Sequence, residues 1–290
     1  MSSEVLDHMP AITVHVSLKG NRQPAPWLYL VRVTVWSWLF LGIAALNGDG
    51  LLAFPNAIWV LLGLLGPLII PAMLIATNHW DPQMDRNVGA FFKRCFDPRR
   101  LPWRWYLIIF ALLLVLIVLP VLLDGTALRE QGLLHIGPPF FLLIGFLAGA
   151  VAEPGWRGYA LEGLQRRMAV LPASLIVGFF WAIWHLPLFF IAGSYQQTLG
   201  VGTTAFWLFF GLILVESPLY AWLYNAAGRV VFAAVLFHGV GNVLNELVSD
   251  AAPLIVLAVR LTVMLAVVAF AWKEFRVRKE VVAAQPTADL

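Results

Sequence analysis

Residues 138–159 read PPFFLLIGFLAGAVAEPGWRGY, an apolar run that ends on a carboxylate, Glu153, and a guanidinium, Arg157. An apolar stretch of about 18 or more residues with few charges is long enough to cross a bilayer as a helix. This segment therefore predicts an all-α polytopic membrane protein. It also puts two ionisable groups inside or just beneath the membrane, where charge is costly and marks a functional site by default. Positions i and i+4 share a helix face, so Glu153 and Arg157 can pair directly.

Working outward, similar runs recur along the chain. Eight spans are expected, at about 27–46, 53–76, 105–123, 138–159, 172–192, 205–224, 230–248 and 252–272. The second is irregular, because Pro55, Pro67 and Pro71 interrupt it, which neighbouring helices can tolerate. The composition agrees: of 290 residues, 61% are hydrophobic and only 12% charged, where an ordinary domain carries about 25%. Mean hydropathy is +0.82. Residues 1–26 form a polar segment without a secretory signal pattern, 27–272 the transmembrane domain, and 273–290 a basic tail. Cys95 is the only cysteine, which excludes an internal disulfide and a cysteine metal cluster. The basic pI of about 9.2 reflects membrane orientation rather than nucleic-acid binding. The 77–104 connection carries Phe91-Phe92-Lys93-Arg94, an amphipathic piece suited to the headgroup region.

Charge sets the orientation. With the N-terminus inside, Lys19, Arg22, Arg86, Lys93, Arg94, Arg99, Arg100, Arg104, Arg166, Arg167, Arg229, Lys273, Arg276, Arg278 and Lys279 all face the cytoplasm. Asp49, Asp124, Arg129, Glu130, Glu246 and Asp250 face outward. This positive-inside asymmetry and an even span count put both termini in the cytoplasm. A multi-pass protein of the cell membrane, the bacterial cytoplasmic membrane, is the expectation.

Depth then connects the polar residues. Glu153 sits near the inner end of the fourth span. His185 lies about 13 residues into the fifth, roughly 20 Å, and His238 about 8 residues into the seventh, roughly 12 Å, at 1.5 Å per residue. Asn242 is one turn deeper on the His238 face. The three clusters can meet in a cavity open to the cytoplasm. A carboxylate and an imidazole there can deprotonate water, while a second imidazole and a carboxamide donate to an oxyanion. The same atoms support a metal reading, in which His185, His238 and Glu153 hold zinc with an open position for water.

The order of motifs resembles a known family. Glu-Glu-x3-Arg, then Phe-x3-His, then His-x3-Asn is the signature of the CPBP intramembrane proteases, which include the type II CAAX prenyl endopeptidase and bacterial relatives linked to bacteriocin self-immunity. Here the motifs read Ala152-Glu153-Pro154-Gly155-Trp156-Arg157, then Trp181-Ala182-Ile183-Trp184-His185, then His238-Gly239-Val240-Gly241-Asn242. The similarity covers about 100–248, which sets the bounds of a protease core. Each motif alone is weak, and the three in order are specific. The resemblance implies that the first Glu and His185 activate water, that Glu153 pairs with Arg157 to hold the site, and that His238 and Asn242 bind the oxyanion. It also implies a membrane-anchored or lipid-modified peptide as substrate, the bilayer as the other partner, and no nucleic acid.

The chain departs from that pattern at one position that matters. Ala152 stands where the family places its catalytic Glu, and Trp181 replaces the usual Phe. Adjacent helix positions point about 100° apart, so Glu153 cannot face Arg157 and also replace residue 152. Three readings follow: a pseudoprotease, a Glu→Ala change that inactivates an ordinary protease, or a Glu153 turned into the site at the Pro154-Gly155 irregularity. Loss of a general base removes about 10²–10⁴-fold in rate, so weak or absent hydrolysis is expected.

Glu153 and Arg157 can simply brace two helices, and a lone His185 can simply hydrogen-bond a neighbouring helix. Glu216 and Arg260 are expected to pair or snorkel, Arg32 to snorkel, and Trp36, Trp38, Trp103, Trp105, Trp181 and Trp184 to anchor and pack. His8, His15, His79 and His135 receive no role. Two rival functions are a non-enzymatic peptide-binding module that confers immunity or regulates, which Ala152 favours, and a transporter using Glu153, Glu216, Arg157 and Arg260. The second predicts repeated halves, and the sequence contains none that is convincing.

Overall fold

A computed structural model describes residues 23–125, 139–248 and 252–279. The basic residues Lys19 and Arg22, the outer residues Arg129, Glu130 and Asp250, and His8, His15 and His135 lie outside the described residues, as does the side chain of Glu246. The regular structure among the described residues is all helical, with no strand. In chain order the helices are α1 Pro26–Asn47, α2 Asn56–Leu64, α3 Gly66–Ala76, α4 Val88–Phe96, α5 Trp103–Asp124, α6 Pro139–Glu153, α7 Glu162–Gln165, α8 Val170–Trp184, α9 Tyr195–Leu199, α10 Thr204–Ala226, α11 Val231–Val248, α12 Pro253–Phe270 and α13 Trp272–Phe275. A π-helical segment, Pro154–Leu161, joins α6 to α7.

Five stretches are long and apolar enough to cross a membrane: α1, α5, α8 with its continuation to Phe190, α10 and α12. A sixth is made by α2 and α3 if their 54° bend is counted within one span. Gly66 and Pro67 stand at that bend, where a missing N–H and a missing side chain both weaken the helix. The other two expected spans are helical but shorter. One is α6, which runs 15 residues before its geometry changes; the other is α11, apolar over Val231–Asn245.

The contact of α6 with α11 positions the site. A Cβ on Gly149 would lie 2.6 Å from the backbone nitrogen of Gly239, and one on Gly239 would lie 3.0 Å from the Phe146 carbonyl. Without a side chain at either position the two backbones touch, the usual device of helices packed in lipid. The Gly145-x3-Gly149 repeat places both residues on the face that meets α11.

The π segment occupies the middle of the molecule, among α1, α3, α8, α10 and α11. All eight of its residues are buried. Pro154 opens it, because proline cannot donate to the preceding α-helical turn and its ring crowds that turn. Gly155 is required by proximity, since a Cβ there would stand 2.1 Å from Tyr29 Oη and 2.2 Å from the Pro67 carbonyl.

The loop charges do more than report orientation. Glu162, fully buried, accepts from Arg166 Nε at 2.9 Å, Arg229 Nε at 2.9 Å and Tyr224 Oη at 2.7 Å. Arg166 also reaches Asp81 at 3.1 Å. Arg94 pairs with Asp85 at 2.9 Å, and Trp80 donates to the same carboxylate. The 77–104 connection, α7 and the α10–α11 turn are thereby tied together. Helix α4 buries Phe91 and Cys95 against the protein, close to Gly158.

Candidate active site

Glu153, at the last position of α6, is fully buried. Its Oε1 accepts from Arg157 Nη1 at 3.1 Å and from His238 Nδ1 at 2.8 Å. The expected i, i+4 pair is therefore present, and the same oxygen joins it to the third motif. The π geometry matters here, since it begins between the two partners and changes the direction of Arg157 relative to α6.

Arg157 lies between two aromatic faces. Its guanidinium carbon is 4.0 Å from the Tyr220 ring centre and 4.5 Å from that of Trp181. Both contacts are within cation–π range, and they hold the charge in a dry core. Trp181 and Tyr220 also pack on His238, at centroid distances of 5.5 and 5.9 Å. The sequence singled out Trp181 as an unusual residue of motif two and as an anchoring or packing tryptophan, and did not single out Tyr220. Its one available signal was its position, a helical turn after Glu216.

His185 ends α8, just before Pro187 forces a tighter turn. Its Nδ1 donates to the Trp181 carbonyl at 2.8 Å, and its ring packs on Trp184 and on Trp181. Both histidines thus flank one indole. Asn242 donates from Nδ2 to the Gly145 carbonyl at 3.0 Å, across the close α6–α11 contact. The tryptophans expected as anchors divide accordingly: Trp103 is exposed, whereas Trp181 and Trp184 line the site.

Ala152 is buried beside Glu153. Gly145, Gly149 and Ala152 follow an i, i+4, i+7 spacing, so Ala152 lies on the helix face that meets α11. Several buried polar atoms nearby have no partner among the described residues: Glu153 Oε2, Arg157 Nη2, Trp156 Nε1, Trp184 Nε1 and Tyr29 Oη.

Among the described residues no three His, Cys, Asp or Glu side chains converge as a metal-binding group. Glu153 is engaged by both Arg157 and His238. Glu216 and Arg260 pair with each other, as the plainer reading had it.

The site contains elements of all three motifs, and the family comparison covers them together. The family model for Rce1-like type II CAAX prenyl endopeptidases matches residues 134–244. A "CAAX prenyl protease 2" of Methanococcus maripaludis is 30% identical over 198 residues, 64% of this chain and 71% of that protein. The chain belongs to the Rce1-like CAAX prenyl endopeptidase family. As a member of that family it is an intramembrane endopeptidase in type.

Proposed function

We propose that this chain is a CAAX-type intramembrane endopeptidase weakened by the loss of its water-activating carboxylate at position 152. Its substrate class is the C-terminal region of a membrane-anchored, lipid-modified peptide, reached from the cytoplasmic side with both termini on that side. One observation carries the reading. Glu153, Arg157 and His238 form a buried hydrogen-bonded chain, with His185 on the other side of the shared Trp181. Such a chain holds side chains in fixed positions, which is what water activation requires. A carboxylate at 152 would leave α6 on the side of α11 that carries His238 and Asn242, where Asn242 is one donor for an oxyanion.

The test is Ala152→Glu, assayed with a fluorogenic, prenylated peptide in detergent or proteoliposomes. Cleavage should rise by about 10²–10⁴-fold, the usual contribution of a positioned base. No rise, in a variant that melts like the parent, would count against position 152 as the missing base. The second reading, a peptide-binding membrane protein without hydrolysis, is favoured by Ala152 itself. It would be supported by substrate binding with no cleavage in either form.

A further inference from the structure

A groove between α5 and α12 lies apart from the candidate active site. Tyr220 packs on His238, whereas Trp222, two positions on and so about 200° around α10, lines this groove. Its cavity volume is about 320 Å³, the size of a ligand pocket. Every lining side chain is apolar: Ile108, Ala111, Leu112 and Val115 of α5, Trp222, and Val267 of α12. Ile108, Ala111 and Val115 are exposed, so the groove opens on the outer surface of the bundle. Helix α12 has little protein packing of its own, since Val259 is its only buried residue.

One end of the groove is basic. Arg104, Ile108, Ala111 and Val115 follow an i, i+4, i+7, i+11 spacing. A single face of α5 therefore carries the apolar wall and, one turn before it, a guanidinium. Arg104 is exposed and makes no ion pair among the described residues. Val267, three residues before the end of α12, faces the first half of α5, so α12 ends where α5 begins. Lys273 and Arg276 follow at that end, also exposed and without an ion pair among the described residues. Trp222 borders a second cleft with Glu274, Phe275 and Lys279, which seats α13 beside the groove. There Glu274 and Lys279 pair with each other at 3.8 Å. Trp103 and Tyr106, exposed on the first turn of α5, mark the headgroup level.

We propose that this groove binds one anionic glycerophospholipid, with its phosphate at Arg104 and one acyl chain along residues 108–115. From Arg104 to Val115 the helix rises roughly 16 Å at 1.5 Å per residue, about half of a ~30 Å hydrocarbon core and so the depth of one leaflet. Basic pockets between spans select anionic headgroups, and a zwitterionic lipid has no net charge to answer Arg104, Lys273 and Arg276. A substrate's lipid chain would suit the apolar wall but leaves those cations unanswered, and the groove faces away from His238. The bound lipid joins α12 to α5 where protein contacts are few.

The test uses the full chain, delipidated in neutral detergent and titrated with dioleoyl phosphatidylglycerol or dioleoyl phosphatidylcholine. Thermal melts and native mass spectrometry follow the binding. Phosphatidylglycerol should raise the melting temperature and stay bound as one copy, and phosphatidylcholine should do neither. Arg104→Gln should weaken phosphatidylglycerol binding about 5-fold, the usual effect of one cation near a membrane surface. Ala111→Phe, which fills the groove, should abolish it, and Arg32→Gln, which removes an exposed cation on α1, should change nothing. A diazirine on the acyl chain should label residues 108–115 and the segment around Val267. The proposal is overturned if the two lipids act alike or if Arg104→Gln binds like the parent. An equal loss in Arg32→Gln also overturns it, since the attraction would then be diffuse charge. So does a prenylated peptide that displaces the phospholipid from the labelled residues, because the groove would then serve the substrate. Should Ala111→Phe fail to fold, the Arg104→Gln titration and the labelling map decide.

Discussion

Glu153 Oε1 lies 2.8 Å from His238 Nδ1 and 3.1 Å from Arg157 Nη1, so a single oxygen joins the first motif to the third. The two residues are 85 positions apart, and the contact depends on backbone proximity between α6 and α11. Stability and site geometry therefore share the same residues, and substitutions can separate them.

Arg157 should behave as half of a buried pair rather than as a surface charge. Arg157→Met leaves Glu153 buried without its cation, and breaking such a pair costs about 3–5 kcal/mol. The lost contacts to Tyr220 and Trp181 add to this. Glu153→Gln with Arg157→Met should destabilise by clearly less than the sum of the two single changes. Thermal melts of the three variants in one detergent measure the coupling, and simple additivity would show that the pair does not act as a unit.

Glu162 gives the structure a defined pH response. This carboxylate lies beyond residue 159, the inner limit of the expected fourth span. Burial acts to raise its pKa, but Arg229 and Arg166, with the Tyr224 hydroxyl, hold it below the ordinary 4.5. A depressed carboxylate contributes stability that is present above its unfolded value and is lost as pH falls through the folded one. Melting temperature should therefore be steady near neutrality and drop as pH is lowered through 4.5. Glu162→Gln should start lower and lose that acid-side slope, which melts across the pH range would reveal.

Much of this was legible in the sequence, for physical reasons. Length and apolarity define membrane helices with little help from tertiary context, so the helical stretches fall where they were expected. Glu153, Arg157, His185, His238 and Asn242 were named because ionisable and polar groups are rare in such runs. What could not be read was pairing between distant residues. Nothing in the spacing says that Glu153 shares its oxygen with His238, that Tyr220 covers Arg157, or that Asn242 donates to the Gly145 carbonyl. The basic residues 94, 166 and 229 were read from the sequence only as orientation charges, and each is also the ion-pair partner of a buried carboxylate. The π turn was legible only as a Pro-Gly irregularity.

Cys95 should be chemically silent in the folded protein. It is fully buried, and burial pushes its thiol up to about 12 although the charge of Arg94 pulls the other way. Because the thiolate is the reactive form, N-ethylmaleimide near neutral pH should label Cys95 only after denaturation. Mass spectrometry with and without denaturant reads this directly. Rapid labelling of the native protein would mean that α4 detaches from its seat beside Gly158.

Two glycines offer a controlled comparison. A methyl at position 149 would come within 2.6 Å of the Gly239 backbone nitrogen, whereas one at 211, on α10, meets nothing within 4 Å. Backbone cannot move aside as a flexible side chain can, so Gly149→Ala should cost about 1–3 kcal/mol and push α6 away from α11. Gly211→Ala should be neutral or stabilising by up to about 1 kcal/mol, because alanine is the better helix former. The larger effect should be on function. Separating the two helices lengthens the Glu153–His238 contact, so Gly149→Ala in the Ala152→Glu background should lose cleavage well before it loses its fold. Cleavage assays read beside melts decide this, and equal behaviour of the two variants would show that the close crossing does not set the site.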